Sequence, residues 1–234
     1  MRLGVISDVH ANLPALEAAL GFLEEARVDR VVCLGDLVGY GPHPNEVVAR
    51  LREAGVACTL GGAEIRVLFP TPTGLKSPEN EAAMAWTRDQ LSPEARRFLG
   101  ALPPAIKFMT PYGKARGFHG RPDDPEAKFP LYDPEPELDR HLARTLATVV
   151  LTGGHHVPFF RQVGRRFVLD PGSVGLTLGG EPGADVAILT IKPDGVHPRI
   201  YKVPYDFAQT AFDIEAWGLP RGIAEVVRTG KPLG

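Results

Sequence analysis

The sequence predicts an α/β protein in which short strands alternate with helices. The first sixty residues follow the order β-α-β-α-β, which implies parallel strands joined by right-handed crossovers. Two later pairs of short apolar runs are each separated by a few residues that include a glycine, as in β-hairpins. Helical segments lie before and after this strand-rich block. We therefore expect β-sheet layers that are covered by helices.

The elements of the first sixty residues follow from apolar runs and helix caps. Residues 2–7 are almost continuously apolar, which is typical of a buried strand. Asn12 is a good N-cap, and Pro14 is tolerated in the first turn of the helix that follows. The predicted elements, in chain order, are a strand at 2–7, a helix to about 26, a strand at 30–34, a helix at 44–54 and a strand at 56–60.

The remaining elements alternate helices with hairpins. Ser-Pro-Glu occurs at 77–79 and at 92–94, and this pattern is typical of a helix N-terminus. The segment 120–137 is rich in proline and aspartate and is predicted to be a loop. In chain order we predict helices to about 91 and 99, a hairpin at 107–110 and 114–118, a helix to about 147, a strand at 148–152, a hairpin at 159–163 and 166–170, strands at 184–191 and 199–203, and helices at 206–217 and 219–227.

The composition favours an ordinary globular protein of one domain. The chain has 234 residues, a formal net charge of −2 and no linker that divides it. This charge gives no signal for binding nucleic acid or an anionic membrane, and no apolar run approaches the ~18 residues of a membrane span. Without a signal peptide, a cytoplasmic location is expected. Cys33 and Cys58 are therefore expected to be reduced and buried, and a disulfide between them is the alternative.

Aspartate and histidine recur where the predicted strands end, the edge at which open α/β sheets place their sites. Taken alone, each such residue is also typical of a cap or a turn. Together, carboxylate oxygen and imidazole nitrogen suit a borderline divalent ion such as Mn, Fe, Zn, Ni or Co. The candidate ligands are Asp8, His10, Asp36, His119, His155 and His156.

Three motifs show a family resemblance: SDVHAN at 7–12, GDLVGYGPHPNEV at 35–47 and HVPF at 156–159. With them, the chain resembles the calcineurin-like metallophosphoesterases, especially their small bacterial and archaeal members. DPGSVG at 170–175 and VPYDF at 203–207 extend the likeness over nearly the whole chain. The resemblance implies a four-layer α/β/β/α sandwich of two mixed sheets. It also implies two divalent ions that share a bridging aspartate, and a metal-bound hydroxide that attacks phosphorus.

Carried over by position, the resemblance implies a complete first metal site. Its ligands are Asp8, His10, the bridging Asp36 and His156. It further implies one domain over residues 1–234, with cover segments at about 70–104 and 120–137 that border the cleft.

The second metal site is degenerate by the same comparison. His119 matches a ligand there, but the family's asparagine ligand is replaced by Gly62 and another histidine ligand by Gly154. Ala63 replaces the histidine that the family uses as an acid or a phosphate ligand. The resemblance therefore implies one well-bound ion and a weak or empty second position.

Two histidines are possible substitutes for the lost acid. His155 occupies the slot that is usually threonine or serine; it either has no role or partly replaces the lost ligand. His43 follows the GYGP loop close to the site. The catalytic acid and the substrate-binding residues are otherwise left unassigned.

The sequence leaves two functions open. One is a metal-dependent phosphoesterase of weak activity on phosphomonoesters or phosphodiesters. The other is an inactive family member that binds a phosphorylated ligand or a protein partner, with the metal in a structural role as its simplest form. The sequence is compatible with either a monomer or a homo-oligomer. A nucleotide-binding fold is excluded, because the sequence has no GxxxxGK[ST] motif and no GxGxxG after its first strand.

Overall fold

A computed structural model describes residues 1–69 and 77–232 of the chain. None of the helices in these two ranges is long and apolar enough to cross a membrane. The strands are β1 (Arg2–Ile6), β2 (Arg30–Cys33), β3 (Ala57–Cys58), β4 (Ile106–Thr110), β5 (Gly113–Gly117), β6 (Val149–Leu151), β7 (Phe159–Val163), β8 (Arg166–Asp170), β9 (Ala184–Lys192) and β10 (Gly195–Val203). The helices are α1 (Leu13–Glu25), α2 (Pro44–Glu53), α3 (Gly62–Leu68), α4 (Pro78–Gln90), α5 (Pro93–Gly100), α6 (Glu135–Arg144), α7 (Phe207–Ala216) and α8 (Arg221–Thr229).

The described strands form two mixed sheets of five strands each. The first sheet has the order β10-β9-β1-β2-β3 and the second the order β4-β5-β6-β8-β7. Strands β1, β2 and β3 are parallel, as the alternation of strands and helices predicts. The two predicted hairpins are β4-β5 and β7-β8, and β6 lies between them, parallel to β5 and β8.

The two sheets pack face to face, and helices cover their outer faces. On β1, Leu3 and Val5 belong to the core between the sheets, whereas Ile6 belongs to the core under α1 and α2. This division follows from the alternation of side chains along a strand. On the outer side of the second sheet, Val150 and Val168 pack against Leu138 of α6. These layers confirm the predicted four-layer α/β/β/α sandwich.

Three elements differ from the sequence prediction. The third strand has only two residues, because the chain turns at two glycines into α3, a helix that was not predicted. Strand β10 begins at Gly195 and not at residue 199, so it includes His197. It also contains Pro198, which is tolerated because β10 is an edge strand.

The two cysteines are neighbours in the first sheet. Cys33 of β2 and Cys58 of β3 are paired in register, and both are buried free thiols. Burial and the neighbouring Cys58 raise the pKa of Cys33 well above its ordinary value. The structure thus matches the expectation of a reduced, buried pair.

Candidate metal centre

Four polar side chains meet at the carboxyl ends of parallel strands from both sheets. Asp8 and His10 follow β1, Asp36 follows β2 and His156 follows β6. Each offers one ligand atom, and these four atoms all lie within 4.8 Å of one another. The sequence stretches that carry them are far apart, so the fold brings them together. We call this set, Asp8, His10, Asp36 and His156, the complete half of the centre.

All four residues have an unfavourable backbone conformation. Their φ angles are 55° for Asp8, 48° for His10, 52° for Asp36 and 60° for His156. Residues other than glycine rarely adopt this left-handed region, and such strain clusters at functional sites. Hydrogen bonds hold the strained turns, such as the one from the His10 amide to the Asp36 carbonyl oxygen. The surrounding fold therefore maintains conformations that the local sequence disfavours.

The imidazoles of the complete half turn their acceptor nitrogens toward one another. His10 Nδ1 donates to the Val38 carbonyl oxygen at 3.3 Å, and His156 Nδ1 donates to the Leu176 carbonyl oxygen at 2.7 Å. Since a carbonyl oxygen can only accept, each Nδ1 carries a proton, and in the neutral ring Nε2 keeps the lone pair that can bind a metal ion. The two Nε2 atoms lie 3.2 Å apart. Both rings therefore present Nε2 to the same place, where either a proton or a metal ion prevents the repulsion of two lone pairs.

The two carboxylates add negative charge at the same place. Asp8 Oδ1 is buried without a hydrogen bond from the described residues and lies 3.1 Å from His156 Nε2. Burial raises the pKa of Asp8, but the contacts with His156, His119 and His10 together hold that pKa far below its ordinary value. Burial likewise raises the pKa of Asp36, but His119 and His10 together bring the value to about 2. Burial lowers the pKa of His10 to about 4. Burial also lowers the pKa of His156, but Asp8, Asp36 and the Leu176 carbonyl together raise it above its ordinary value. Two carboxylates and two imidazoles form a donor set that fits a divalent ion.

His119 approaches the bridging carboxylate from another side. Its Nδ1 donates to the Leu34 carbonyl oxygen at 2.7 Å, and its Nε2 lies 3.4 Å from Asp36 Oδ2. Burial lowers the pKa of His119, but the contacts with Asp36, the Asp8 charge and the Leu34 carbonyl together raise the value to about 10. The side chain is buried and is not one of the four clustered residues. Its Nε2 thus contacts the same Asp36 carboxylate that His10 approaches at 3.8 Å.

The positions around His119 offer backbone groups where the related family has side-chain ligands. Ala63 N donates to Asp36 Oδ1 at 2.8 Å, and Gly154 N donates to Asp8 Oδ2 at 3.0 Å. Neither residue has a side-chain atom that can bind metal. We call this region, Gly62, Ala63 and Gly154 together with His119, the depleted half of the centre. Its backbone still fixes the carboxylates that the complete half uses.

The remaining site candidates point elsewhere. His155 Nδ1 is 3.0 Å from Asp170 Oδ2, and the Tyr132 ring lies beside it, so this imidazole faces a buried aspartate and not the clustered residues. His43 is the N-cap residue of α2. Among the described residues that line the cleft over the centre, neither histidine occurs.

Glu64 is a buried carboxylate to which the sequence analysis assigned no role. It accepts hydrogen bonds from the backbone amides of Asp36, Leu37, Val38 and Gly61 at 2.7 to 3.1 Å. Burial and the nearby Asp36 raise the pKa of Glu64 to about 7. Its position directly after Ala63, where the resemblance implies a site residue, was a signal that Glu64 lies close to the site. Glu64 holds the loop that carries Asp36.

A cleft of about 580 Å³ opens above the centre. His10, Asp36, His119 and His156 lie in its wall together with residues from the two predicted cover segments. From these segments come Glu79, Asn80, Gly120, Pro125, Glu126, Ala127 and Lys128. The rest of the first cover segment, 70–76, lies outside the described residues.

Comparison with known proteins gives relatives that match most of the chain. An uncharacterized protein of Methanocaldococcus jannaschii, MJ0912, is 27% identical over 247 residues, which cover 98% of this chain and 98% of that protein. The phosphodiesterase YfcE of Escherichia coli is 27% identical over 199 residues, which cover 79% of this chain and 85% of YfcE.

A solved structure and a family model agree with these relatives. The metallophosphoesterase from Sphaerobacter thermophilus superposes with a TM-score of 0.80 at 27% identity, and the match covers 98% of this chain and 99% of that one. The model of the calcineurin-like phosphoesterase superfamily domain matches residues 1–194. The chain therefore belongs to the calcineurin-like phosphoesterase superfamily.

Proposed function

We propose that this chain is a divalent-metal-dependent phosphoesterase of low activity, with phosphomonoesters or phosphodiesters as substrates. It binds one ion firmly and a second ion weakly. The observation that carries this proposal is the pair of His10 and His156 Nε2 atoms, which face each other at 3.2 Å between two ionised aspartates. The firm site is Asp8, His10, Asp36 and His156. The weak site has two protein ligands, Asp36 and His119.

The chain's own groups would prepare the reaction before any chemistry. The Nδ1 hydrogen bonds of His10 and His156 orient both rings, so no reorientation is needed when an ion binds. Glu64 and the Ala63 amide hold Asp36 in place. A bound dication supplies Lewis acidity and an activated water for attack on phosphorus. Pre-set ligands of this kind favour tight binding of the first ion.

The depleted half explains why we propose low activity. With Asp36 and His119 as its only protein ligands, a second ion is poorly held. In addition, Ala63 cannot protonate a leaving group, and general acid catalysis is worth on the order of 10²–10⁴-fold. A nitrophenolate leaves without that proton, whereas an alkoxide needs it. The proposed activity is therefore biased toward activated esters.

One domain over residues 1–234 forms the proposed enzyme, and its cover segments contribute to ligand choice. Glu79 and Asn80 come from the segment at about 70–104, and residues 125–128 come from the segment at about 120–137. Both groups line the cleft beside Asp36. Their side chains therefore contact the part of a substrate that lies outside the metal centre.

The second candidate function is a binding protein without turnover. The three positions that depart from the family's ligand pattern, Gly62, Ala63 and Gly154, all lie in the depleted half. The complete half keeps every ligand, and this one-sided distribution favours the binding protein. Decay without selection would not be expected to spare one half. Under this alternative, the single ion anchors a phosphorylated ligand or a protein partner.

Metal content and turnover, measured on the same protein, separate these candidates. Protein stripped by a chelator is reloaded with Mn²⁺, and turnover of bis(4-nitrophenyl) phosphate is compared with that of a dialkyl phosphate. We expect one tightly bound ion per chain and measurable release of nitrophenolate. Hydrolysis of the alkyl ester should be slower by about a hundredfold or more. The chelated protein is the control and should be inactive.

Each alternative has its own signature in this experiment. A firmly bound ion without turnover of any ester supports the binding protein. Protein that binds no ion contradicts both candidates.

A further inference from the structure

A guanidinium lies beside the depleted half of the centre. Arg66 is on α3, four residues after Gly62 and three after Ala63, so the three positions share one face of the helix. Side chains on a helix lean toward its N-terminus. For α3 this is the end at which the Ala63 amide binds Asp36. Arg66 accordingly lines the same cleft as Asp36 and His119.

An ion pair holds the Arg66 side chain at the cleft wall. Its Nε donates to Glu126 Oε1 at 2.6 Å. Tyr40 lines the same cleft, and the Arg66 charge opposes the rise to about 12 that burial and Asp36 cause in the Tyr40 pKa. The Arg66 side chain is 34% exposed. The guanidinium is thus paired with Glu126 and still accessible to a molecule in the cleft.

The ion pair of Arg66 and Glu126 lies next to the place of a lost metal ligand. A Cβ atom added to Gly62 would lie 3.4 Å from Glu126 Cγ and 3.8 Å from the Pro125 carbonyl oxygen. A longer side chain at position 62 would therefore point into the space that Glu126 now borders. Where the related family places a metal ligand, this chain places a carboxylate that holds an arginine.

We propose that Arg66 is a phosphate-binding residue that contacts the non-bridging oxygens of a phosphate ester in this cleft. This assignment rests on the proposed function, because the phosphate is that of the proposed substrate. Arg66 contacts it beside the position of the weakly held second ion. A guanidinium is planar, always charged and matched to the spacing of phosphate oxygens. It has five N–H donors, so donation to Glu126 through Nε is compatible with donation to phosphate.

Glu126 should weaken phosphate binding, although Arg66 strengthens it. The Glu126 carboxylate partly neutralises the Arg66 charge and repels the incoming anion. Glu126→Gln removes that charge and keeps a side chain of the same length. If Arg66 binds phosphate, this change should tighten phosphate binding, whereas Arg66→Gln should weaken it.

The test is a calorimetric titration of the Mn²⁺-loaded full chain with inorganic phosphate. We expect a dissociation constant about tenfold higher for Arg66→Gln, because a charge-assisted hydrogen bond is lost. For Glu126→Gln we expect a value that is lower by a fewfold. The matched control is Arg50→Gln on α2, since Arg50 also pairs with a glutamate and is 28% exposed. It should leave phosphate binding within twofold of the parent chain.

The outcomes separate this proposal from the proposed function. Unchanged phosphate affinity in a folded Arg66→Gln variant overturns it. If that variant does not fold, Glu126→Gln decides, and equal or weaker binding overturns the proposal. Absence of turnover in the parent chain would overturn the proposed hydrolysis alone, because phosphate affinity is measured without turnover.

Discussion

The two halves of the metal centre use the same carboxylates in different ways. In the complete half, aspartate oxygens and imidazole nitrogens converge within 4.8 Å. In the depleted half, backbone amides at Ala63 and Gly154 donate to Asp36 and Asp8 at 2.8 and 3.0 Å. Gly62, Ala63 and Gly154 offer no side-chain ligand there, but the backbone amides of Ala63 and Gly154 still hold the two aspartates in position.

The groups that hold the aspartates in place are thus different from the side chains that can bind metal. Glu64 holds the turn that carries Asp36 through backbone amides alone, so ligand replacement at Gly62 or Gly154 leaves that support intact. Under our proposal, this support keeps a firm site for one ion while the capacity for a second ion is reduced. Substitutions in each half should have effects of different size.

The largest effect should come from the complete half. His156→Ala removes one of four clustered ligand atoms and relieves the contact with His10 Nε2. Loss of partners that only support a ligand costs 10–100-fold in metal affinity, so loss of the ligand itself should cost at least about 100-fold. Calorimetric titration of the stripped protein with Mn²⁺ measures this affinity.

The matched control for this prediction is His197→Ala. His197 is an exposed imidazole on the edge strand β10 and lies outside the described cluster. Its removal should leave the affinity for Mn²⁺ unchanged. Equal losses for both variants would contradict a special role of the complete half.

Restoring the missing ligands of the depleted half should raise metal affinity, by a smaller factor than the loss expected for His156→Ala. The triple change Gly62→Asn, Ala63→His and Gly154→His should raise second-ion affinity by at least about tenfold and speed hydrolysis of bis(4-nitrophenyl) phosphate. Steric crowding at position 154 limits the gain in affinity. Gly154 has a φ of 87°, and a Cβ atom there would lie 3.1 Å from His119 Nε2, so part of the benefit is lost to rearrangement.

Removal of His119 provides the control for the restored chain. Since His119 is expected to bind the second ion, His119→Ala in the triple background should return both affinity and rate to the parent values. A restored chain that holds two ions but hydrolyses no faster would contradict our account of low activity.

Much of the fold was predictable because local patterns determine it. Alternating strands and helices fixed the parallel order of β1, β2 and β3, and the glycines at 113 and 164 marked the two hairpins. Helix α3 was not predicted, because it begins with a glycine, a residue that disfavours helices. Its first turn is stabilised by Glu64, the third residue of the helix, which accepts a hydrogen bond from the amide of the N-cap residue Gly61. The same carboxylate accepts from the amides of residues 36–38, and these tertiary contacts leave no periodic pattern in the sequence.

The candidate metal ligands could be predicted from the sequence, but the contacts that hold them in place could not. Family motifs identified Asp8, His10, Asp36, His119 and His156 as candidate metal ligands, and that assignment stays a prediction. The hydrogen-bond partners of Glu64 and the proposed role of Arg66 depend on which loops lie beside α3, and the sequence position of Glu64 indicates only that it is close to the site. The partner of His155 could not be foreseen either, because Asp170 is brought to it by the hairpin β7-β8.

The smallest effect on metal binding should come from His155. Its Nδ1 faces Asp170 Oδ2 at 3.0 Å, away from the ion, so His155→Ala should change the affinity for Mn²⁺ by less than about threefold. The same change removes a hydrogen-bond donor to a fully buried carboxylate and should lower the free energy of unfolding by about 1–3 kcal/mol. Urea unfolding measures that loss, and His155→Asn, which keeps a donor, should recover part of it. A large loss of second-ion affinity in His155→Ala would instead show that His155 replaces the ligand missing at Gly154, and the depleted half would then be less depleted than its sequence indicates.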